Sequence, residues 1–194
     1  MVRKEVMKDC SKKNLKRKTI AQSCATILQE EQYSNITISK LANEAGIGKG
    51  TIYEYFQNKE DIVFELMTCM QEAYDENLEE LLKSTNDIRE KLNYLFIIFL
   101  SDDETIIKQR KIYKQFLTIC ISSQSDQTKI YNTKVRDKYI NILDKIINNK
   151  DKATTIYDNI ISIYINSITL NNYDLKENIN NYLNKQLKQE DKIC

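Results

Sequence analysis

The sequence predicts an all-α fold, and three observations carry that reading. The 194 residues contain no proline. All three glycines, Gly46, Gly48 and Gly50, fall within five residues of one another. Everywhere else the apolar residues recur at helical spacing, and few positions would stop a helix.

The elements follow in order. Residues 1–13 read as a basic, weakly ordered arm. A first helix is expected from about Asn14 to Glu31, with Ile20, Ala21, Cys24, Ile27 and Leu28 forming a core-facing stripe. Tyr33-Ser34-Asn35 interrupts it. Thr37 is then a suitable N-cap for a short helix over Ile38–Ala45. Gly46 follows at the position where a left-handed residue closes a helix. A third helix is expected from Lys49 to Phe56, and Asn58 with Asp61 forms an approximate capping box for a fourth. Beyond it, weak polar breaks divide the chain into helices from Ser84 to Leu100, from Ser101 to about Ser122, from about Thr128 to Asn149 and from Ala153 to Leu170. A last one follows Asp174.

Charge is unevenly spread. Residues 1–60 hold eleven Lys/Arg against seven acids, a local charge of +4 on a chain whose net charge is +1. A basic front end on a mildly acidic body suits a polyanion-binding head. The longest apolar run, Tyr94–Leu100, is far short of the ~20 residues of a membrane span, and no apolar stretch follows the charged N-terminus. Five widely spaced cysteines without a CxxC pair suit reduced thiols in a cytosolic protein, with Cys120 or Cys194 the candidates for redox sensing. Histidine is absent, which removes the commonest general base and metal ligand. No catalytic group, metal site or cofactor is therefore nominated. The glycine cluster fails the phosphate-loop pattern, because Lys49 is followed by Gly50 and Asn43 stands where the first glycine should be.

What residues 49–56 present as a helix is more specific. At about 100° per residue, Ile52 and Phe56 share one face and pack with Ile47 on the preceding helices. Gly50, Thr51 and Glu54 lie opposite, free to enter a major groove. Tyr53 and Tyr55 flank that face, within reach of phosphates, and Lys49 brings a cation to the helix start. Gly50 lets the backbone lie close to a duplex. Thr37, Ser39 and Lys59, near the starts of neighbouring helices, complete the candidate DNA-binding set with Gly48. Glu54 either accepts from a cytosine amino group or turns aside from phosphate.

Over Ile36–Glu60, the order Thr37-Ile38-Ser39-Lys40-Leu41-Ala42, Gly46-Ile47-Gly48-Lys49-Gly50-Thr51-Ile52-Tyr53 and Tyr55-Phe56-Gln57-Asn58-Lys59 resembles the TetR family of bacterial transcriptional regulators. The likeness covers about residues 14–65. It implies a three-helix DNA-binding head over 1–58, with its arm, and a helical ligand-binding and dimerisation body over 59–194. It further implies a homodimer on a palindromic double-stranded DNA operator, released by a small-molecule effector. Such a protein is cytoplasmic, associated with the nucleoid when bound, and not a membrane protein. By the same resemblance Lys49-Gly50 opens the recognition helix, Tyr53 and Lys59 meet phosphate, and Phe56 is a core aromatic. Gly48 stands where a capping serine is usual, and Tyr55 where histidine is common. In the body, Tyr94, Phe96, Phe99, Tyr113, Phe116, Cys120, Tyr139 and Tyr164 are candidates either for a ligand cavity or for ordinary core. The last two helices would cover either a dimer interface or the monomer core.

Overall fold

The computed structural model describes residues 2–122 and 126–188, with side chains from residue 12 onward apart from residue 127. Cys10 and Cys194 thus lie outside the described side chains. Eleven α-helices and one 3-10 turn account for the described elements, with no strand among the described residues. They are α1 (Val2–Ser23), α2 (Ala25–Glu30), the 3-10 turn (Tyr33–Asn35), α3 (Ile38–Glu44), α4 (Lys49–Tyr55) and α5 (Lys59–Lys83). There follow α6 (Ile88–Leu95), α7 (Ile97–Leu100), α8 (Glu104–Ser122), α9 (Asp126–Ile147), α10 (Lys150–Thr169) and α11 (Leu175–Lys188).

Two expectations at the N-terminus need correction. The basic segment read as a loose arm is helical from Val2, because its Lys, Arg, Glu and Met residues favour helix and nothing in it stops one. The helix expected from 14 to 31 is two helices. At Cys24 the N–H is shared between the carbonyls of Ile20 (3.3 Å) and Ala21 (3.1 Å), and the buried thiol lies 3.6 Å from the Leu41 carbonyl. The helix up to Leu100 also divides, at Phe96 (φ −110°, ψ 22°), and the break buries both Phe96 and Phe99.

Short polar side chains start several of the helices. The Thr37 hydroxyl accepts the Lys40 N–H, Asp87 that of Glu90, Asn149 that of Lys152 and Asp174 that of Glu177. The Asn58 amide accepts the Asp61 N–H at 2.8 Å while Asp61 accepts the Gln57 N–H at 3.0 Å, a reciprocal cap. Helix ends use left-handed residues: Gly46 at φ 64°, Asn148 at 50° and Asn172 at 55°. Asparagine tolerates that region better than other side chains, so this chain stops its later helices without glycine.

The chain forms two compact units. The first comprises Met1–Glu76 and Lys108–Ser123, and the second Asn77–Ile107 and Gln124–Cys194. The first is built around Ile20, Leu28, Leu41, Ile52, Phe56, Ile62 and Phe116, all nearly inaccessible. In the second, α10 packs against α9 and α11, burying Ile156, Ile160 and Tyr164 with Leu143, Ile179 and Leu183. Arg136 grips Asp158 through two bonds of 3.0 and 2.8 Å, tying α9 to α10. The buried faces of the last two helices therefore serve the monomer core.

Candidate nucleic-acid interface

The α3–turn–α4 segment owes its geometry to a few local choices. Leu41 and Ala42 bury one face of α3. At Gly46 the positive φ turns the chain, and the Ile47 N–H closes back on the Ala42 carbonyl at 3.0 Å. Gly48 is the N-cap of α4; with no side chain to offer, its carbonyl alone accepts from Thr51 (3.0 Å) and Ile52 (3.3 Å). On α4 itself, Ile52 is 0% and Phe56 1% exposed, whereas Tyr53 is 53% exposed. Lys49, Gly50 and Glu54 are also exposed, with Thr51 and Tyr55 half-buried. Thr37 and Ser39 are exposed at the start of α3.

Lys59 is placed differently from the others. Its Nζ donates to the carbonyls of Tyr33 and Ile36, each at 3.1 Å, and lies 4.1 Å from the centroid of the Tyr33 ring. The ammonium thus holds the 3-10 turn that leads into α3.

Two residues that the sequence did not single out fix the head. Arg17, on α1, donates to the carbonyl of Tyr55, stacks its guanidinium 4.4 Å from the Phe56 ring centroid, and pairs with Glu65 of α5 at 3.0 Å. Gln115, on α8, bonds to the backbone of Glu31 and Tyr33. Nothing in a lysine-rich stretch marks Arg17, and nothing in α8 marks Gln115, because their partners are 38 to 84 residues away.

A family model for bacterial regulatory proteins of the tetR family matches residues 24–66, the segment just described. Residues 24–66 are a tetR-family segment. Among the relatives, the fatty acid metabolism regulator protein of Bacillus subtilis is 37% identical over 73 residues, 38% of each chain. The nucleoid occlusion factor SlmA of Vibrio vulnificus is 28% identical over 92 residues, 47% of each chain. The chain spans less than half the length of these curated relatives. A solved structure from Saccharomonospora viridis, in complex with choline, covers 89% of this chain and 95% of its own at a TM-score of 0.69 and 17% identity, a likeness of fold.

The aromatic residues of the body are divided between the two units. Phe99 and Tyr164 are both buried and meet at 4.9 Å between ring centroids in the second unit, where Phe96 is also buried. Tyr139 lies 6.0 Å from Tyr157 in the same unit, and Tyr94 is half-buried there. Tyr113, Phe116 and Cys120 belong to the first unit, where Phe116 contacts Tyr113 (6.1 Å) and Phe64 (5.4 Å, edge-on). Among the described residues no group of His, Cys, Asp and Glu could hold a metal, and no helix is long and apolar enough to cross a membrane.

Proposed function

We propose that this chain is a DNA-binding transcriptional regulator, a cytoplasmic homodimer whose two α4 helices read a palindromic operator and which a small molecule releases. The observation that carries the reading is the two-sidedness of α4: Ile52 is sealed in the core while Tyr53, its neighbour, is half exposed beside Lys49, Gly50 and Glu54. A helix held on one side and polar on the other is what a major groove admits. Lys49 and Tyr53 meet phosphate, Gly50 allows close approach, and Glu54 faces a base edge.

An effector is favoured by the S. viridis structure, which holds choline in a similar fold, and by the Bacillus relative, whose name ties it to fatty acid metabolism. A rival reading is a fold of this kind used mainly to meet a protein partner. A gel shift with the DNA upstream of the protein's own gene, with and without cell-extract metabolites, separates the two. Retention of that duplex and its release by extract is the expected result; failure to retain it favours the rival.

A further inference from the structure

Gln115 lies 84 residues beyond Glu31, yet its carboxamide is engaged at both ends by the segment that leads into α3. Nε2 donates to the Glu31 carbonyl at 2.8 Å, and Oε1 accepts the Tyr33 N–H at 3.0 Å. These two backbone groups flank a junction. Glu31 closes α2 in extended conformation (φ −108°, ψ 151°), and Tyr33 is the first residue of the 3-10 turn. Backbone groups at such ends lack partners within their helix. A primary amide, with a donor and an acceptor in one plane, satisfies a C=O and an N–H two residues apart.

Lys59 grips the same turn through the Tyr33 and Ile36 carbonyls. Thr37, the N-cap of α3, follows directly. Gln115 is itself anchored, because its neighbour Phe116 is buried edge-on to Phe64 at 5.4 Å. The conformation of this turn decides where α3 begins, and with it the seating of α4.

We infer that Gln115 is a positioning residue for the helix-turn-helix, through which α8 fixes the turn that seats α3 and α4 on DNA. Only the last step, the effect on DNA, rests on the DNA-binding reading; the grip on the turn does not.

The test is residue-resolved amide hydrogen exchange together with duplex binding, on the full chain and its Gln115→Met and Gln115→Glu variants. Methionine keeps the size and loses both hydrogen bonds. Glutamate keeps an acceptor for the Tyr33 N–H but turns an anionic oxygen towards the Glu31 carbonyl. In the methionine variant, exchange is expected to rise about tenfold over residues 33–41 and not over α9–α11, with duplex binding about tenfold weaker. The glutamate variant should keep slow exchange at Tyr33 and still lose affinity.

Unchanged exchange at Tyr33 in the methionine variant, or a uniform rise along the whole chain, overturns the grip. A local rise with unaltered affinity overturns the positioning role. A wild-type chain that binds no selected duplex sinks the DNA-binding reading, and the positioning role with it, while the exchange data still decide the grip on the turn.

Discussion

The guanidinium of Arg17 lies over the ring of Phe56, Cζ to centroid 4.4 Å, at the point where α4 ends. Through the same group α1 also reaches the Tyr55 carbonyl and Glu65. One cation thus serves the last carbonyl of α4, an aromatic face and a carboxylate, joining three helices. With Arg17 28% and Glu65 18% exposed, the pair is screened less than a surface bridge. Arg17→Ala is expected to destabilise the protein by about 1–3 kcal/mol, measured by urea unfolding. Arg17→Lys should recover little, because an ammonium has neither the planar fork nor the stacking face. Full recovery by lysine would reduce the role to simple charge.

Gly50 and Gly46 should respond oppositely to alanine. A Cβ at Gly50 meets nothing within 4 Å, and the residue sits inside α4. The fold itself does not require glycine there, so Gly50→Ala should raise stability by up to about 1 kcal/mol and weaken duplex binding. Gly46 has equal space but φ 64°, and Gly46→Ala should cost about 1 kcal/mol. Thermal melts and titrations of both variants check this. Undiminished binding by Gly50→Ala would remove the close-approach role.

Three interface substitutions should separate by readout. Lys49→Ala should weaken binding and lower the slope of log affinity against log salt by about 0.9. Tyr53→Phe, which removes a neutral hydroxyl, should weaken all sequences alike, by about three- to tenfold, at unchanged slope. Glu54→Ala should leave overall affinity closer to wild type and alter preference at one base position, which binding to a panel of variant sites reveals. Because Lys59 is bound to the Tyr33 and Ile36 carbonyls, Lys59→Ala should lower the unfolding midpoint as well as binding.

The stretch from Thr37 to Asp61 was legible because local chemistry decides it. The Thr37 cap, the left-handed Gly46, the Asn58–Asp61 box and the buried Ile52–Phe56 face all follow from residues a few positions apart. The break at Cys24 was not legible, since it depends on a thiol meeting the Leu41 carbonyl 17 residues on. Nor was the inward turn of Lys59, which needs the 3-10 turn to be in place. In the body, helix periodicity located α8 to α11 within a few residues. It could not separate core aromatics such as Phe99 and Tyr164 from ligand contacts, because burial looks alike in both cases.

Stability should be level across neutral pH and fall in alkali. No histidine is present to titrate near pH 6. Burial, reinforced by Glu44, pushes the Cys24 thiol from 9.0 up to about 12. Burial likewise raises the Tyr157 phenol from 10.0 to about 12, Arg136 opposing and Asp158 adding. Tyr33 moves the same way, through burial and then Glu60. Each folded value lies above the unfolded one, so this stabilisation is complete below about pH 9 and is lost as the pH rises towards 12. A melting midpoint that holds from pH 6 to 8 and drops steadily above 9 is expected. A midpoint that rises over pH 9–11 would contradict it.

The central claim, that α4 is a recognition helix working in pairs, is tested most directly by selecting binding sites from a randomised duplex library with the full chain. The account predicts enrichment of a two-fold symmetric site whose half-sites are one or more helical turns apart. A library that stays unenriched, while the protein remains folded, would contradict it.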